Sequence, residues 1–388
     1  MAIDTERQKR TMSLLSHSGY DALICSSATE VLLLTGYWPV MAQTVVVFSA
    51  DGAVTAIVPE DEVGLAKKTS ATEIIPYQPA TLDTLDSPLS RLREPLRRAL
   101  KSFSASKASV GIQMEQGLQP ASYAVSAVFR PSFAALLSEL LPEAKLSGCD
   151  ELVETMKAVK TTRELEILHT ASIVAAAGFQ VAEKCIKTGR RENEIAAEIQ
   201  TAFDTAHAAE CLQRSYGYFF CMSGPNSATA AAAYARTRHR VIQEGDLVMI
   251  HANTCADGYW TDITRTYCAG TPSRRQEEMR SAIDEARAEA LRSVRPGATG
   301  SEIDSAARSV MEAAGFGKEF KHATGHGVGF AAANPNARPR IHPLSNDALE
   351  EGMTFNLEPA AYFEGYGGMR HCDVIAVTAR GAKVITDF

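Results

Sequence analysis

GDLVMIHANTCADGYWTDITRTY, residues 245–267, is the stretch that decides how this chain is read. LVMIHA (247–252) is a near-continuous apolar run of strand length. Asp257-Gly258 is a hairpin turn signal. YWTDITRTY (259–267) alternates and is rich in aromatic and β-branched residues. Two strands joined by a tight turn are expected. They carry His251 and Asp262, eleven residues apart. Such a hairpin can aim two polar groups at one interior spot. A buried carboxylate and imidazole there need a charge, a metal or hydrogen bonds to offset their lost hydration.

The rest of the composition narrows the classes. A chain of 388 residues favours two domains over one core. It is 45% hydrophobic and 22% charged, as ordinary globular proteins are. A net charge of −7 with no Lys/Arg-rich run speaks against nucleic acid as a partner. The first residues, MAIDTERQKR, lack an apolar signal core. No run of ~18 apolar residues is seen, so no membrane span is expected. Eight scattered cysteines without a CxxC pair read as reduced thiols, and hence as a cytoplasmic protein.

Along residues 1–150 helix and strand patterns alternate, which suggests a compact α/β domain. A second Asp-Gly turn, Asp51-Gly52, separates two strands. Leu92, Leu96 and Leu100 recur at spacing four, and Pro95 is expected to open that helix. No catalytic signature appears in this part, which reads as a structural or oligomerisation domain. From residue 151 the pattern changes to two long helices, about 162–187 and from 192, then strands and two further helices. Ser301 with Asp304 looks like the capping box of the last one. The final 70 residues are strands and loops.

The second half of the chain holds seven of the nine histidines. HATGH places His322 and His326 four apart, with glycines around the second. The glycines argue for a loop or strand where backbones approach closely. FNLEP puts Glu358 at the end of an apolar strand, and MRHCD puts Arg370, His371 and Cys372 at the start of another. Histidine and carboxylates on separate strands, converging on one place, are how a first-row metal site is built.

In order and spacing, GDLVxIxx, GYxxDITRTY, HxxGHGVG, GMxFxxEP and GxRxxD resemble the pita-bread (M24) metallopeptidases of the Xaa-Pro aminopeptidase, prolidase and creatinase branch. The resemblance covers nearly the whole chain. It implies a creatinase-like N-terminal α/β domain (1–150) and a pita-bread catalytic domain (151–388), an α/β (α+β) fold, and a homodimer. The family holds two metal ions with Asp, Asp, His, Glu and Glu. Asp262, His326 and Glu358 match the second, third and fourth of these. His251 stands at the first position and Cys372 at the last. Tyr234 stands where the peptidases carry a histidine near the substrate. His322 matches a second active-site histidine, Arg370 matches the family's arginine, and His342 is delivered by an insertion where a further histidine is expected.

An imidazole and a thiol cannot bridge two ions as carboxylates do. One ion is therefore expected, held by Asp262, His326 and Glu358 with His251 or Cys372 completing the shell. Zn²⁺ or Fe²⁺ suits this set best, with Mn²⁺ possible. The expected function is hydrolysis of a peptide, amide or amidine C–N bond in a small molecule or short peptide. His322 and His342 would carry protons, and Arg370 or Tyr234 would bind substrate. Two alternatives stay open: metal-free, creatinase-like hydrolysis of a guanidinium or amidine compound, and a catalytically silent binding protein. Arg338 and Arg340 in the insertion could meet a carboxylate or simply face solvent.

Overall fold

The computed structural model describes residues 4–114, 130–206, 212, 214–232 and 236–388. Its contacts divide the chain into two units, Met1–Lys157 and Ala158–Phe388.

The first unit runs α1 (Thr5–Ser18), β1 (Ala22–Cys25), α2 (Ala28–Thr35), β2 (Val45–Ser49), β3 (Val54–Pro59), α3 (Val63–Ala66) and β4 (Glu73–Tyr77). It continues through α4 (Pro88–Ala99), β5 (Ser109–Ile112), α5 (Arg130–Leu140), β6 (Lys145–Gly148) and α6 (Asp150–Ala158). The six strands form one mixed sheet in the order β4-β3-β2-β1-β5-β6. The Asp51-Gly52 turn joins the antiparallel pair β2/β3, with Gly52 at φ 90°. Val45, Val47, Ile57 and Ile75 of the sheet pack on Leu92 and Leu96 of α4 and Leu137 of α5. Helix α4 starts earlier than the proline suggested. Ser87 caps it and Pro88 opens it, leaving Pro95 inside the helix.

A buried ion pair ties α6 back to α2: Lys157 Nζ lies 2.9 Å from Glu30 Oε1. Burial opposes both charges, but each holds the other ionised, so Glu30 is shifted down and Lys157 up. Removing one partner strands the other in an apolar layer. Glu30→Ala is expected to cost about 3 kcal/mol, read as a lower urea midpoint. A loss below about 1 kcal/mol would show that Glu154, the second neighbour of Lys157, supports the ammonium alone.

The second unit runs α7 (Thr162–Cys185), α8 (Glu192–Thr205), β7 (Ser215–Ser223), α9 (Pro225–Ala228), β8 (Leu247–Ala256), β9 (Tyr259–Cys268), α10 (Arg274–Ser293) and α11 (Gly300–Ala313). The strands β10 (Thr354–Leu357), β11 (Ala360–Phe363), β12 (Gly367–Arg370), β13 (Asp373–Thr378) and β14 (Gly381–Val384) follow. They form three sheets, β7-β8-β9, β10-β13-β14 and β11-β12. The opening hairpin is β8/β9, and its turn residues Asp257 and Gly258 both have positive φ, 46° and 92°.

Helix α7 is long and apolar enough to cross a membrane by length and composition, contrary to the expectation of no such segment. Half of that apolar window is buried inside the protein. Val174, Ala175, Phe179 and Ala182 pack with Ile195, Ile199 and Phe203 of α8 against Ile250, Ala252 and Ile263 of the hairpin. Helices α10 and α11 pack in the same way with Phe355, Leu357, Ile375 and Val377. The cap of α11 is Thr299 with Glu302, a full capping box. Asp304 serves another purpose: its Oδ1 accepts from the Thr324 backbone N–H and hydroxyl, which fastens the HATGH segment to α11.

Candidate active site

Strand register places the polar residues. Antiparallel pairing sets His251 opposite Thr264 and Asn253 opposite Asp262. Ile250, Ala252 and Ile263, of opposite parity, face the helices α7 and α8. A backbone bridge between Thr264 and Cys372 brings the segment 370–373 against β9. Another between Gly327 and Phe355 aligns HATGH with β10. Asn356 N–H donates to the His326 carbonyl, and Glu358 N–H to that of Thr324. The glycine beside His326 is required here: a Cβ on Gly325 would lie 1.8 Å from the Asn356 carbonyl oxygen.

Around this framework Asp262, His326, Glu358, His251, Arg370 and Cys372 come together. His326 Nδ1 donates to the Gly327 carbonyl (3.1 Å), which in the neutral ring puts the lone pair on Nε2. That lone pair faces Asp262 Oδ2 at 3.8 Å. Asn356, fully buried, sits between them. Its amide donates to Asp262 Oδ2 at 3.2 Å and lies 3.3 Å from His326 Nε2. Burial first, then the charge of Glu358, pushes the Asp262 carboxyl up to about 7.

His251 is held differently. Arg370 Nη2 donates to its Nδ1 at 2.9 Å, and the Thr264 hydroxyl lies 3.0 Å from the same nitrogen. The Asn253 side chain also hydrogen-bonds the ring. Burial, then the Arg370 charge, lowers its pKa to about 3, so the imidazole is neutral. Arg370 also reaches Thr264 Oγ1 (3.0 Å) through Nε and Glu358 Oε2 (3.4 Å) through Nη1. Cys372, fully buried, donates its S–H to the Asp262 backbone carbonyl at 3.2 Å. Burial, with Asp262 and Glu358 nearby, pushes that thiol well up, so it stays protonated.

His322 joins the cluster through Tyr362. Its Nδ1 donates to the Ala323 carbonyl (2.8 Å), and Nε2 accepts from the Tyr362 hydroxyl (2.9 Å). Burial lowers its pKa. His342 lies apart: it is exposed, and its Nδ1 accepts from the Leu344 backbone N–H at 3.1 Å. Among the described residues it makes no hydrogen bond to the buried cluster. Tyr234 lies outside the described residues. Arg340 is paired with Asp347 through two nitrogens, and Arg338 lies 3.9 Å from the same carboxylate.

Asp373, the first residue of β13, anchors the chain next to Cys372. It is buried against Arg265 (2.7 Å), Arg287 (2.5 Å) and His371 (3.1 Å). Burial opposes its charge, yet the His371 hydrogen bond and the two guanidiniums hold it well below the usual carboxylate range. Asn356, Tyr362, Thr264 and Asn253 were not foreseen. A polar Asn356 inside the apolar TFNLEP was the one available signal.

Among the described residues, no three His, Cys, Asp or Glu side chains are placed as a metal-holding group. The donor chemistry nonetheless separates them. Asp262, Glu358 and the Nε2 lone pair of His326 are donors that suit a divalent ion. The Nδ1 lone pair of His251 is taken by Arg370 and Thr264, and Cys372 is a thiol donor.

Residues 166–379 match the model of metallopeptidase family M24, and residues 7–159 match the creatinase/prolidase N-terminal domain. The chain belongs to metallopeptidase family M24. Over its whole length it is 27% identical to an Xaa-Pro dipeptidase of Pyrococcus horikoshii, covering 98% of that protein. It is 33% identical over 247 residues to the Xaa-Pro dipeptidase of Pyrococcus furiosus, covering 61% of this chain and 65% of that one. Two solved structures share the full architecture. The P. horikoshii prolidase superposes with a TM-score of 0.79 at 25% identity, over 99% of this chain and 98% of that one. An Xaa-Pro dipeptidase from Bacillus anthracis does so with 0.79 at 26%, over 99% and 97%. The fold is thus a creatinase-type N-terminal domain followed by the pita-bread catalytic domain of this family.

The Asp373 cluster gives a pH test. A carboxyl with a lowered folded pKa contributes stability above its unfolded pKa of about 3.9 and loses it as pH falls. Asp373→Asn is expected to lower the urea midpoint at pH 7. The gap to the unaltered protein should narrow below about pH 4. A gap independent of pH would rule this cause out.

Proposed function

We propose that this chain hydrolyses the C–N bond of a short peptide of the Xaa-Pro class. The reading includes one bound divalent transition ion, Zn²⁺ or Fe²⁺ before Mn²⁺, at Asp262, His326 and Glu358. The observation that carries it is the hydrogen bond between His326 Nδ1 and the Gly327 carbonyl. With Nδ1–H held by the Gly327 carbonyl, Nε2 presents its electron pair toward Asp262. Full-length similarity to proteins named Xaa-Pro dipeptidase supports the substrate class. When bound, such an ion supplies Lewis acidity and lowers the pKa of water toward neutrality.

The chain's own residues have distinct tasks in this reading. Asn356 orients Asp262. Arg370, held by His251 and Thr264, fixes Glu358 and leaves few donors for substrate. His322 is a neutral base whose Nε2 takes a proton once the Tyr362 hydroxyl turns away. His251 and Cys372 hold neighbours in place and act as no ligands. A homodimer is part of the same proposal.

A metal-independent reading has one specific observation in its favour. Internal donors already meet several candidate ligands: Arg370 at His251 and Glu358, Asn356 at Asp262. Asp262 and Glu358 would then grip a cationic guanidinium or amidine.

Elemental analysis of protein purified without chelator tests both. About one equivalent of Zn or Fe is expected, lost in Glu358→Ala together with at least ~100-fold of Xaa-Pro dipeptide hydrolysis. Two equivalents would refute the assigned roles of His251 and Cys372. No metal, with turnover of an amidine, would favour the second reading. No turnover on either panel would leave a binding protein.

A further inference from the structure

The face of the β7-β8-β9 sheet that carries Asp262 is ordered in rows. One row is Phe220, His251 and Thr264; the next is Tyr218, Asn253 and Asp262; the third is Tyr216, Cys255 and Trp260. Phe219 and Cys221, of the opposite parity on β7, belong to the apolar layer under α7 and α8. Alternation therefore directs Tyr216, Tyr218 and Phe220 to the site face.

Two of these three rings have partners. Phe220 stacks on His251, with centroids 6.1 Å apart and planes 14° from parallel. Tyr216 meets Trp260 edge-on at 5.3 Å. Tyr218, in the row of Asp262, has no ring partner among the described residues and is 48% exposed. An open aromatic face between two filled ones is a place for a flat or apolar group. It lies two strand spacings from Asp262, roughly 10 Å. One large side chain spans that gap.

We propose that Tyr218 is a specificity-determining residue that receives the side chain of the substrate residue supplying the scissile carbonyl, and that it favours aromatic and large apolar side chains. This rests on the hydrolase reading above. Asn253, between Tyr218 and Asp262, forms the floor of that subsite.

The test is a dipeptide panel, Phe-Pro, Leu-Pro and Gly-Pro, on the full chain. The unaltered protein should prefer Phe-Pro and Leu-Pro over Gly-Pro in kcat/KM. Tyr218→Ala should reduce that preference roughly tenfold, mainly through KM, and Tyr218→Phe should keep it. An unchanged preference in Tyr218→Ala overturns the proposal. So does a Tyr218→Ala variant whose change falls on the second residue, altering the Phe-Pro, Phe-Ala, Phe-Gly ranking and leaving the Phe-Pro to Gly-Pro ratio as it was. If no dipeptide is cleaved, the hydrolase reading fails by itself, and calorimetric binding of the same panel decides. Tighter Phe-Pro than Gly-Pro binding, lost in Tyr218→Ala, supports Tyr218, and equal binding overturns it.

Discussion

A one-residue slip between β8 and β9 would turn Asp262 into the apolar layer beneath α7 and α8. Side chains alternate with a period of two, so register alone decides which face receives the carboxylate. Ile250, Ala252 and Ile263 prevent the slip because they fill that layer with Ile195, Ile199 and Phe203. The Asp257-Gly258 turn fixes the same register from the other end. Every later feature of the site assumes it: the bridge to Cys372, the contact of Arg370 with Thr264, and the row that holds Tyr218.

The polar cluster built on that register is satisfied largely from within. A buried guanidinium, two carboxylates and three imidazoles would each be costly alone. Here Arg370 answers Glu358 and His251, Asn356 answers Asp262, and Tyr362 answers His322. Asp373 repeats the device one strand away with Arg265, Arg287 and His371. Such networks hold side chains in single rotamers, which a reacting centre needs. They also decide which lone pairs remain available. Arg370 and Thr264 meet Nδ1 of His251, whereas Nε2 of His326 faces Asp262 with only the Asn356 amide beside it, at 3.3 Å.

Much of this was legible before the structure. The hairpin, the two-part organisation and the convergence of Asp262, His326 and Glu358 follow from periodicity, turn residues and motif order. Local readings failed where a longer-range partner intervened. Pro95 does not open its helix, because Ser87 and Pro88 supply an earlier start. Asp304 does not cap α11, because Thr324 claims its carboxylate. The helix α7 has the length and apolar composition of a membrane span, yet α8 and the hairpin pack against it.

By itself the sequence determined the family, the fold and the identity of the residues that meet on the hairpin. Those depend on residue type, spacing and alternation, which are local properties. The tertiary structure decided what each of these residues does with its hydrogen-bonding atoms. His251 accepts from Arg370, Cys372 donates to a carbonyl, His342 stays at the surface, and Asn356 enters the centre. The physical reason is that the state of a buried polar group is set by the partners that surround it. Those partners come from strands more than 90 residues apart in the chain, as Asp262 and Asn356 do.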